Sequence, residues 1–264
     1  MVMKSIKHFP KEKISPIKYL LTDIDDTITH DGLIPACAFQ AMEDLGKAGI
    51  KVIPITGRPA GWCDHIARMW PVDGVVGENG AFYFVYDKIK KQMIRRYFKT
   101  DQEREQDKIK LETVKLKILQ SVSGCVVSAD QAYREADLAI DFAEDVPHLS
   151  QPDINRIVEI FEQNGAIAKI SSIHVNGWFG SYDKLSMTQA LFREVFKTEI
   201  DEIKEKVIYI GDSPNDEPMF EYFPNSVGVA NILLFKDRLT FKPAWITNDE
   251  GGYGFAQLAG ILAP

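Results

Sequence analysis

Residues 17–27 read IKYLLTDIDDT, a short apolar run that ends in three acidic residues. An apolar run of this length, closed by turn-forming residues, is typical of a buried strand. Asp23, Asp25 and Asp26 would therefore follow directly on a strand. Because ligands of open parallel sheets bind beyond the carboxyl ends of the strands, this placement makes the acidic segment a candidate for chemistry.

The residues that follow alternate between helical and strand patterns. We predict a helix from Pro35, a buried strand at 51–56 (KVIPIT), a helix over 59–70 and a third strand at 74–76. Pro54 is an objection to the second strand, because proline cannot donate a ladder hydrogen bond. The alternation as a whole predicts parallel pairing with right-handed crossovers.

This alternation changes after Gly77 and returns at Asp183. Between them the sequence predicts a hairpin and then mixed helices and strands, including one strand over 166–175. We therefore predict an α/β fold with an inserted module. Its three-layer core with a parallel sheet comprises residues 1–84 and 183–264, and the α+β insert comprises residues 85–182.

Composition limits the functional classes. The chain has 264 residues and a net charge of −7, which argues against general nucleic-acid binding. Its five His and three Cys residues show no zinc-like spacing and no disulfide scaffold. No apolar run approaches the about 20 residues that span a bilayer, and no signal peptide is visible. We expect a cytoplasmic protein without a membrane or nucleic-acid partner.

Two further segments place polar side chains after predicted strands. Thr56-Gly57-Arg58-Pro59 combines a hydroxyl, a glycine and a predicted helix start, an arrangement that favours an anion such as phosphate. Residues 211–216 (GDSPND) offer carboxylate and amide oxygens, the ligands that Mg²⁺ prefers. Lys184, at the point where the core resumes, would neutralise both a carboxylate and a transferring phosphate.

Each segment alone also fits a structural role. The acids of 23–26 would suit a solvated turn, residues 56–59 an ordinary strand-to-helix turn, and Lys184 a surface position. Asp or Asn in 211–216 would serve equally as a helix cap. The order of all four segments along one chain is what favours a functional interpretation.

Taken together, these segments resemble the haloacid dehalogenase superfamily. Asp23-Ile24-Asp25-Asp26-Thr27 matches its DxDxT motif, Thr56 its second motif, Lys184 its third and residues 211–216 its GDxxND motif. The insert between the second and third motifs resembles a C2-type cap, and Glu78-Asn79-Gly80-Ala81 resembles the ENGA segment before such caps. The subgroup resembled is the Cof-like, sucrose-phosphatase-like branch, which implies a Rossmann-like core.

The resemblance implies a role for each matching residue. Asp23 would be the nucleophile, and Asp25 the general acid and base, with its backbone carbonyl on Mg²⁺. Asp23 and Asp212 would be carboxylate ligands of Mg²⁺, and Asp216 a ligand or a neighbour of one. The phosphate would be held by Thr56, Gly57, Lys184 and Asn215. One departure is that Leu185-Ser186 follow Lys184, where the family commonly has Gly.

Residues near the end of the insert are candidates for substrate selection. Asn176 and Trp178 would bind a polyol by hydrogen bonding and stacking, with His174 and Tyr182 as further candidates. The alternative for Trp178 is packing between cap and core, and for His174 a structural role. Arg58 would contact the substrate or form a surface ion pair.

We therefore predict a Mg²⁺-dependent phosphatase that hydrolyses a small phosphorylated metabolite, a sugar phosphate above all, through an aspartyl-phosphate. One alternative is a phosphomannomutase-like phosphotransferase, which would keep the same motifs. Another is a non-catalytic sugar-phosphate binding protein, whose expected sign is the loss of Asp23, Asp25 or Lys184, and all three are present. We expect a monomer or a homodimer.

Overall fold

Thirteen strands form three separate sheets in a computed structural model that describes residues 3–264. In chain order they are β1 (Lys4–Ser5), β2 (Tyr19–Thr22), β3 (Lys51–Pro54), β4 (Val75–Gly77), β5 (Phe82–Asp87), β6 (Gln92–Tyr97), β7 (Val126–Val127), β8 (Asp137–Asp141), β9 (Ile167–Ile170), β10 (His174–Trp178), β11 (Val207–Gly211), β12 (Ser226–Gly228) and β13 (Trp245–Ile246).

Eight α-helices connect these strands within residues 3–264. They are α1 (Lys11–Ile14), α2 (Ala36–Lys47), α3 (Ala60–Met69), α4 (Asp101–Ser121), α5 (Gln151–Gln163), α6 (Lys184–Leu191), α7 (Glu217–Tyr222) and α8 (Gly251–Leu262). Within residues 3–264, no helix combines the length and the apolar character needed to cross a membrane.

The central sheet has six strands in the order β1-β13-β12-β11-β2-β3, and every pair in it is parallel. The predicted α/β core with a parallel sheet is therefore confirmed. β2 and β11 are neighbours, so the acidic segments that follow them meet at one edge of the sheet. Pro54 is tolerated because it ends β3, which is an edge strand of this sheet.

Side chains of the central strands alternate between two apolar layers. Leu20 and Val52 pack into one layer together with α2, α3 and α8. Their neighbours Leu21 and Ile53 pack into the opposite layer together with α6 and α7. Because both faces are covered, the strands read as continuous apolar runs. This sandwich of helices around a sheet is the predicted three-layer arrangement.

The second sheet is the antiparallel β4-β5-β6. It extends the core, since Ile55 after β3 forms a parallel bridge to Val76 in β4. The expected boundary between residues 84 and 85 falls inside β5. The limits proposed for core and insert stay predictions.

The third sheet, β7-β8-β10-β9, is antiparallel and packs with α4 and α5 around its own apolar core. We call residues 101–178 of this unit the cap. The single strand expected over 166–175 is wrong, because the chain turns at 171–173 and forms the hairpin β9–β10. β8 was not predicted, since Asp137 and Asp141 at its ends hide a short apolar run.

Candidate active site

Three buried charged side chains meet at the carboxyl edge of the central sheet. Asp23 directly follows β2, Asp216 lies on the turn after β11, and Lys184 is the first residue of α6. The Nζ atom of Lys184 lies 2.9 Å from Oδ1 of Asp23 and 2.8 Å from Oδ1 of Asp216. The structure thus brings together residues that are up to 193 positions apart in the sequence.

Lys184 is positioned by the start of its helix. Asp183 caps α6, where its carboxylate accepts a 2.7 Å hydrogen bond from the Ser186 backbone and its own amide donates to the Ser186 hydroxyl at 3.0 Å. Ser186, part of the departure from the family pattern, therefore closes a capping box. Gly80 lies against this turn at φ +107°, and a Cβ there would meet the Asp183 carbonyl oxygen at 2.0 Å.

Asp216 is held from several sides. Its Oδ1 accepts from Lys184 and from the Tyr209 hydroxyl, and its Oδ2 accepts from the Asp212 amide at 3.0 Å. Gly211 makes room for this carboxylate, since a Cβ at position 211 would lie 2.3 Å from Asp216 Oδ2. Sequence reasoning missed Tyr209, because it lies inside a strand that is otherwise apolar.

Asp212 lies beside this pair with one oxygen free. Its Oδ1 accepts from the Thr27 hydroxyl at 3.3 Å, whereas its buried Oδ2 has no hydrogen-bond partner within residues 3–264. One oxygen each of Asp23, Asp212 and Asp216 lie within 4.8 Å of one another. Three carboxylates therefore share one ammonium group, and the cluster carries an excess of negative charge.

Burial and the repulsion between the carboxylates both raise the pKa values of the cluster. Burial, opposed in part by Lys184, raises the pKa of Asp23 to about 8. Burial and repulsion by Asp216 and Asp23 raise the pKa of Asp212 well above its usual range. A divalent cation would relieve both effects. The hard oxygen donors and the unpartnered Asp212 oxygen fit Mg²⁺.

Thr56, Gly57 and Arg58 form the turn between β3 and α3. The Thr56 side chain is buried, and its hydroxyl accepts a 3.0 Å hydrogen bond from the Arg58 amide. Gly57 faces the same pocket as Asp23 and Asp25. Gly57 and Arg58 of this turn thus line the pocket beside the nucleophile candidate, whereas Thr56 is not among its lining residues.

Arg58 joins the core to the cap. Its Nε lies 2.9 and 3.0 Å from the two carboxylate oxygens of Asp25, and its Nη2 lies 2.7 Å from Oε1 of Glu144 in the loop after β8. Glu144 in turn lies 2.9 Å from Nε2 of His174. Of the two roles considered for Arg58, the surface pair is excluded because its side chain is buried.

The cap covers the catalytic loops closely. The pocket between them measures only 10 Å³ and is lined on the cap side by the 171–173 turn, His174 and Asn176. Asn215 lines it from the core, with its side-chain oxygen accepting from the Ser213 hydroxyl at 2.8 Å. Asn176 donates to Asp137 at 3.0 Å, deep in the cap.

Trp178 does not reach this pocket. Its side chain is 1% exposed, stacks on Tyr182 with ring centroids 5.7 Å apart and belongs to the apolar layer around β2. The indole N–H donates to the Tyr182 carbonyl at 3.3 Å. The structure therefore favours the packing alternative over substrate stacking for this residue.

Several residues at the core–cap junction were not predicted from the sequence. Glu144 is one, since the strand before it was missed. Arg134 is another, donating to the Gly57 carbonyl at 2.9 Å. The partners of these two residues across the junction are distant in sequence, so no local pattern marks them. Glu78 was marked by the ENGA resemblance, but its contacts were not predicted: its buried carboxylate accepts from the backbone amides of Ala60 at the start of α3 and of Glu135 in the cap, both at 2.9 Å.

Comparison with solved structures finds the same fold over nearly the whole chain. A Thermoplasma acidophilum protein matches with a TM-score of 0.69 and 20% identity, covering 93% of this chain and 98% of its own. The sucrose-phosphatase from Synechocystis sp. PCC6803, solved with sucrose and phosphate, matches with a TM-score of 0.63 and 15% identity, covering 93% of this chain and 97% of its own. The C-terminal domain of the C. albicans trehalose-6-phosphate phosphatase matches with a TM-score of 0.71 and 13% identity, covering 100% of this chain and 98% of its own.

These identities establish the shared fold and no more. A comparison with curated proteins finds no match. The family model of haloacid dehalogenase-like hydrolases matches residues 20–176, which is more than half of the chain and includes two of the four predicted motifs. The superfamily inferred from those motifs is confirmed, and this chain belongs to the haloacid dehalogenase-like hydrolases.

Proposed function

We propose that this chain is a Mg²⁺-dependent phosphatase that hydrolyses a small phosphorylated metabolite, a sugar phosphate, through an aspartyl-phosphate on Asp23. The observation that carries the proposal is the position of Lys184, whose ammonium group contacts both Asp23 and Asp216 beside the unpartnered oxygen of Asp212. An anionic nucleophile can approach an anionic phosphate only where such positive charge is concentrated.

The metal would be held by the carboxylates of Asp23 and Asp212, with the Asp25 backbone carbonyl as a further ligand. When bound, Mg²⁺ would supply positive charge that offsets the repulsion between carboxylates and phosphate. Asp216 already accepts from Lys184, Tyr209 and the 212 amide, so its main contribution would be to orient Lys184.

The reaction would proceed in two displacements. A carboxylate oxygen of Asp23 bonds to phosphorus while the ester P–O bond breaks, and Asp25 donates a proton to the departing oxygen. A water molecule then attacks the phosphorus of the aspartyl-phosphate and gives a proton to Asp25, while the P–O bond to Asp23 breaks and inorganic phosphate leaves. Thr56, Gly57, Lys184 and Asn215 would hold the phosphate oxygens, and Asn176 would face the substrate from the cap.

Arg58 adds a condition to this scheme. In the closed structure its guanidinium binds both oxygens of Asp25. Asp25 must leave this ion pair before it can carry a proton to the leaving group. An oxygen of the transferring phosphate that competes for Arg58 would release Asp25, so the acid would become available when the phosphate is bound.

The substitution Asp23→Asn tests the nucleophile. We expect no steady-state release of inorganic phosphate from sugar phosphates, because an amide cannot form the acyl-phosphate, while the circular-dichroism spectrum stays that of the wild type. Asp31→Asn is the matched control. Asp31 is highly exposed at φ +49°, a conformation that Asn tolerates, so this variant should keep full activity. Phosphate release by purified Asp23→Asn at the wild-type rate would exclude Asp23 as the nucleophile.

A further inference from the structure

A second and larger cavity adjoins the pocket over Asp23. It measures 510 Å³ and lies between α3 and the loop of residues 24–34. We call it the α3 cavity. Its walls include Ile24, Ile34, Trp62, Ile66 and Trp70. On α3 these side chains recur at helical spacing, so one face of the helix is turned toward the cavity.

The two cavities share residues of the catalytic loops. Asp25 and Arg58 line both the 10 Å³ pocket over Asp23 and the 510 Å³ α3 cavity. A space of 10 Å³ holds about one water molecule. The cap hairpin therefore leaves no room for an organic group above Asp23, whereas the α3 cavity provides such room beside Asp25.

The α3 cavity has the composition of a ligand site. Its lining is mostly aliphatic and aromatic, with a few polar groups near Asp25, and its volume lies in the range of small-molecule pockets. Trp62 is 42% exposed, and the Arg58 guanidinium lies 4.4 Å from its ring centroid. An exposed indole beside the predicted general acid is suited to stacking on a ring.

The charges in the α3 cavity indicate an uncharged occupant. Its acids, Asp25 and Glu144, are both bound to Arg58. The guanidinium is thus already neutralised, no other Lys or Arg is among the lining residues, and the one further basic side chain is the imidazole of His65. A leaving group with its own carboxylate or second phosphate would meet two acids there without a free Lys or Arg.

We propose that the α3 cavity is the leaving-group site, and that it takes an uncharged leaving group whose ring presents an apolar face, a pyranose or an aryl ring. The inference rests on the phosphatase function proposed above. When the ester P–O bond breaks, the departing oxygen takes the proton of Asp25 at the junction of the two cavities. The resulting alcohol is then released along α3.

Trp62→Ala tests this assignment with three esters: glucose 6-phosphate, 4-nitrophenyl phosphate and the open-chain glycerol 1-phosphate. We expect kcat/KM to fall about 2- to 10-fold for a ring ester, as the loss of one aromatic contact predicts, and to stay unchanged for glycerol 1-phosphate. Phe241→Ala is the control: Phe241 is 44% exposed, similar to Trp62, and lines neither cavity. It should leave all three values unchanged.

The outcomes separate the possibilities. A loss confined to the pyranose or to the aryl ester supports the site and identifies which ring it takes. An equal loss for all three esters, or none for both ring esters, overturns it. Binding gives a readout that needs no turnover: methyl glucoside or 4-nitrophenol should shift the indole N–H resonance of Trp62 but not that of the buried Trp245. An unshifted Trp62 resonance with both alcohols rejects the cavity assignment, while a shifted resonance without phosphate release from any of the three esters counts against the phosphatase proposal alone.

Discussion

At the scale of the residue, Asp212 brings an unsatisfied carboxylate oxygen to the site. Its Oδ2 is buried without a hydrogen-bond partner in the described chain, and Asp23 and Asp216 repel its charge. A buried polar atom without a partner costs free energy, so its presence calls for a missing ligand. The arrangement is stable only when positive charge is added or a carboxylate takes up a proton.

The substitution Asp212→Asn tests whether the carboxylate cluster is stabilised by a bound cation. In EDTA the variant should unfold at a temperature equal to or above that of the wild type, because one repelling charge is gone. Mg²⁺ at 100 times Kd should stabilise the wild type by about 2.7 kcal/mol and so raise its Tm. The Tm of the variant should stay unchanged. Differential scanning calorimetry measures both values, and activity of the wild type should disappear in EDTA and return with Mg²⁺.

The Asp31→Asn variant serves again as the control and should gain the same stability from Mg²⁺ as the wild type. An Asp212→Asn protein that gains as much as the wild type would show that Mg²⁺ binds elsewhere.

At the scale of the element, the contact between the start of α3 and the loop after β8 depends on ionised carboxylates. Arg58 binds Glu144, and His174 lies on its other side. Burial alone would raise the pKa of Glu144, but His174 and Arg58 outweigh burial and hold that pKa at about 2, below the ordinary 4.5. The ion pair therefore stabilises the folded protein above about pH 4.5 and loses this effect as the pH falls toward about 2.

Glu144→Gln should remove this dependence. We expect the variant to have a lower Tm than the wild type near neutral pH, and the difference to shrink as the pH falls below about 4.5. Thermal unfolding followed by circular dichroism across this range is the measurement. Glu112→Gln, which alters an exposed cap pair with Lys115, should show little difference at any pH. A Glu144→Gln deficit that is constant with pH would contradict the assignment.

The elements also show what sequence patterns can predict. Apart from β1, the strands of the central sheet were predicted because they are apolar runs between turn signals. The site motifs were predicted because each follows such a strand or, for Lys184, lies where the core resumes. The cap was predicted less well: β8 is framed by acids, and β9 and β10 run together without a glycine or proline between them. Glu144 and Arg58 meet across 86 positions, a contact set by tertiary packing rather than by local sequence.

At the scale of the whole molecule, the structure shows the cap closed over the catalytic loops. Gly61 on α3 and Tyr133 on the cap touch, with a Cβ at position 61 lying 2.9 Å from Cβ of Tyr133. The pocket behind this contact is too small for a phosphate ester, so the cap must move in each catalytic cycle. A covalent link at this contact would prevent that movement.

The double variant Gly61→Cys/Tyr133→Cys, made with Cys37→Ser to remove the exposed thiol, tests this expectation. The two Cβ positions are close enough for a disulfide after a small adjustment. Phosphatase activity should be lost on oxidation and recovered with dithiothreitol. Each single cysteine variant should be unaffected by oxidation. Full activity of the cross-linked protein would show that no opening is required.

The close approach of Gly80 to the Asp183 carbonyl limits which parts of the chain can move when the cap opens. These two residues lie on the passages by which the chain leaves the central sheet and comes back to it, and they fit together without space for a methyl group. A hinge for the movement of the cap would therefore lie closer to the cap than these two residues. The amine of Lys184 would then keep its position relative to the central sheet. The positive charge that binds the phosphate would be in the same place in the open and in the closed protein.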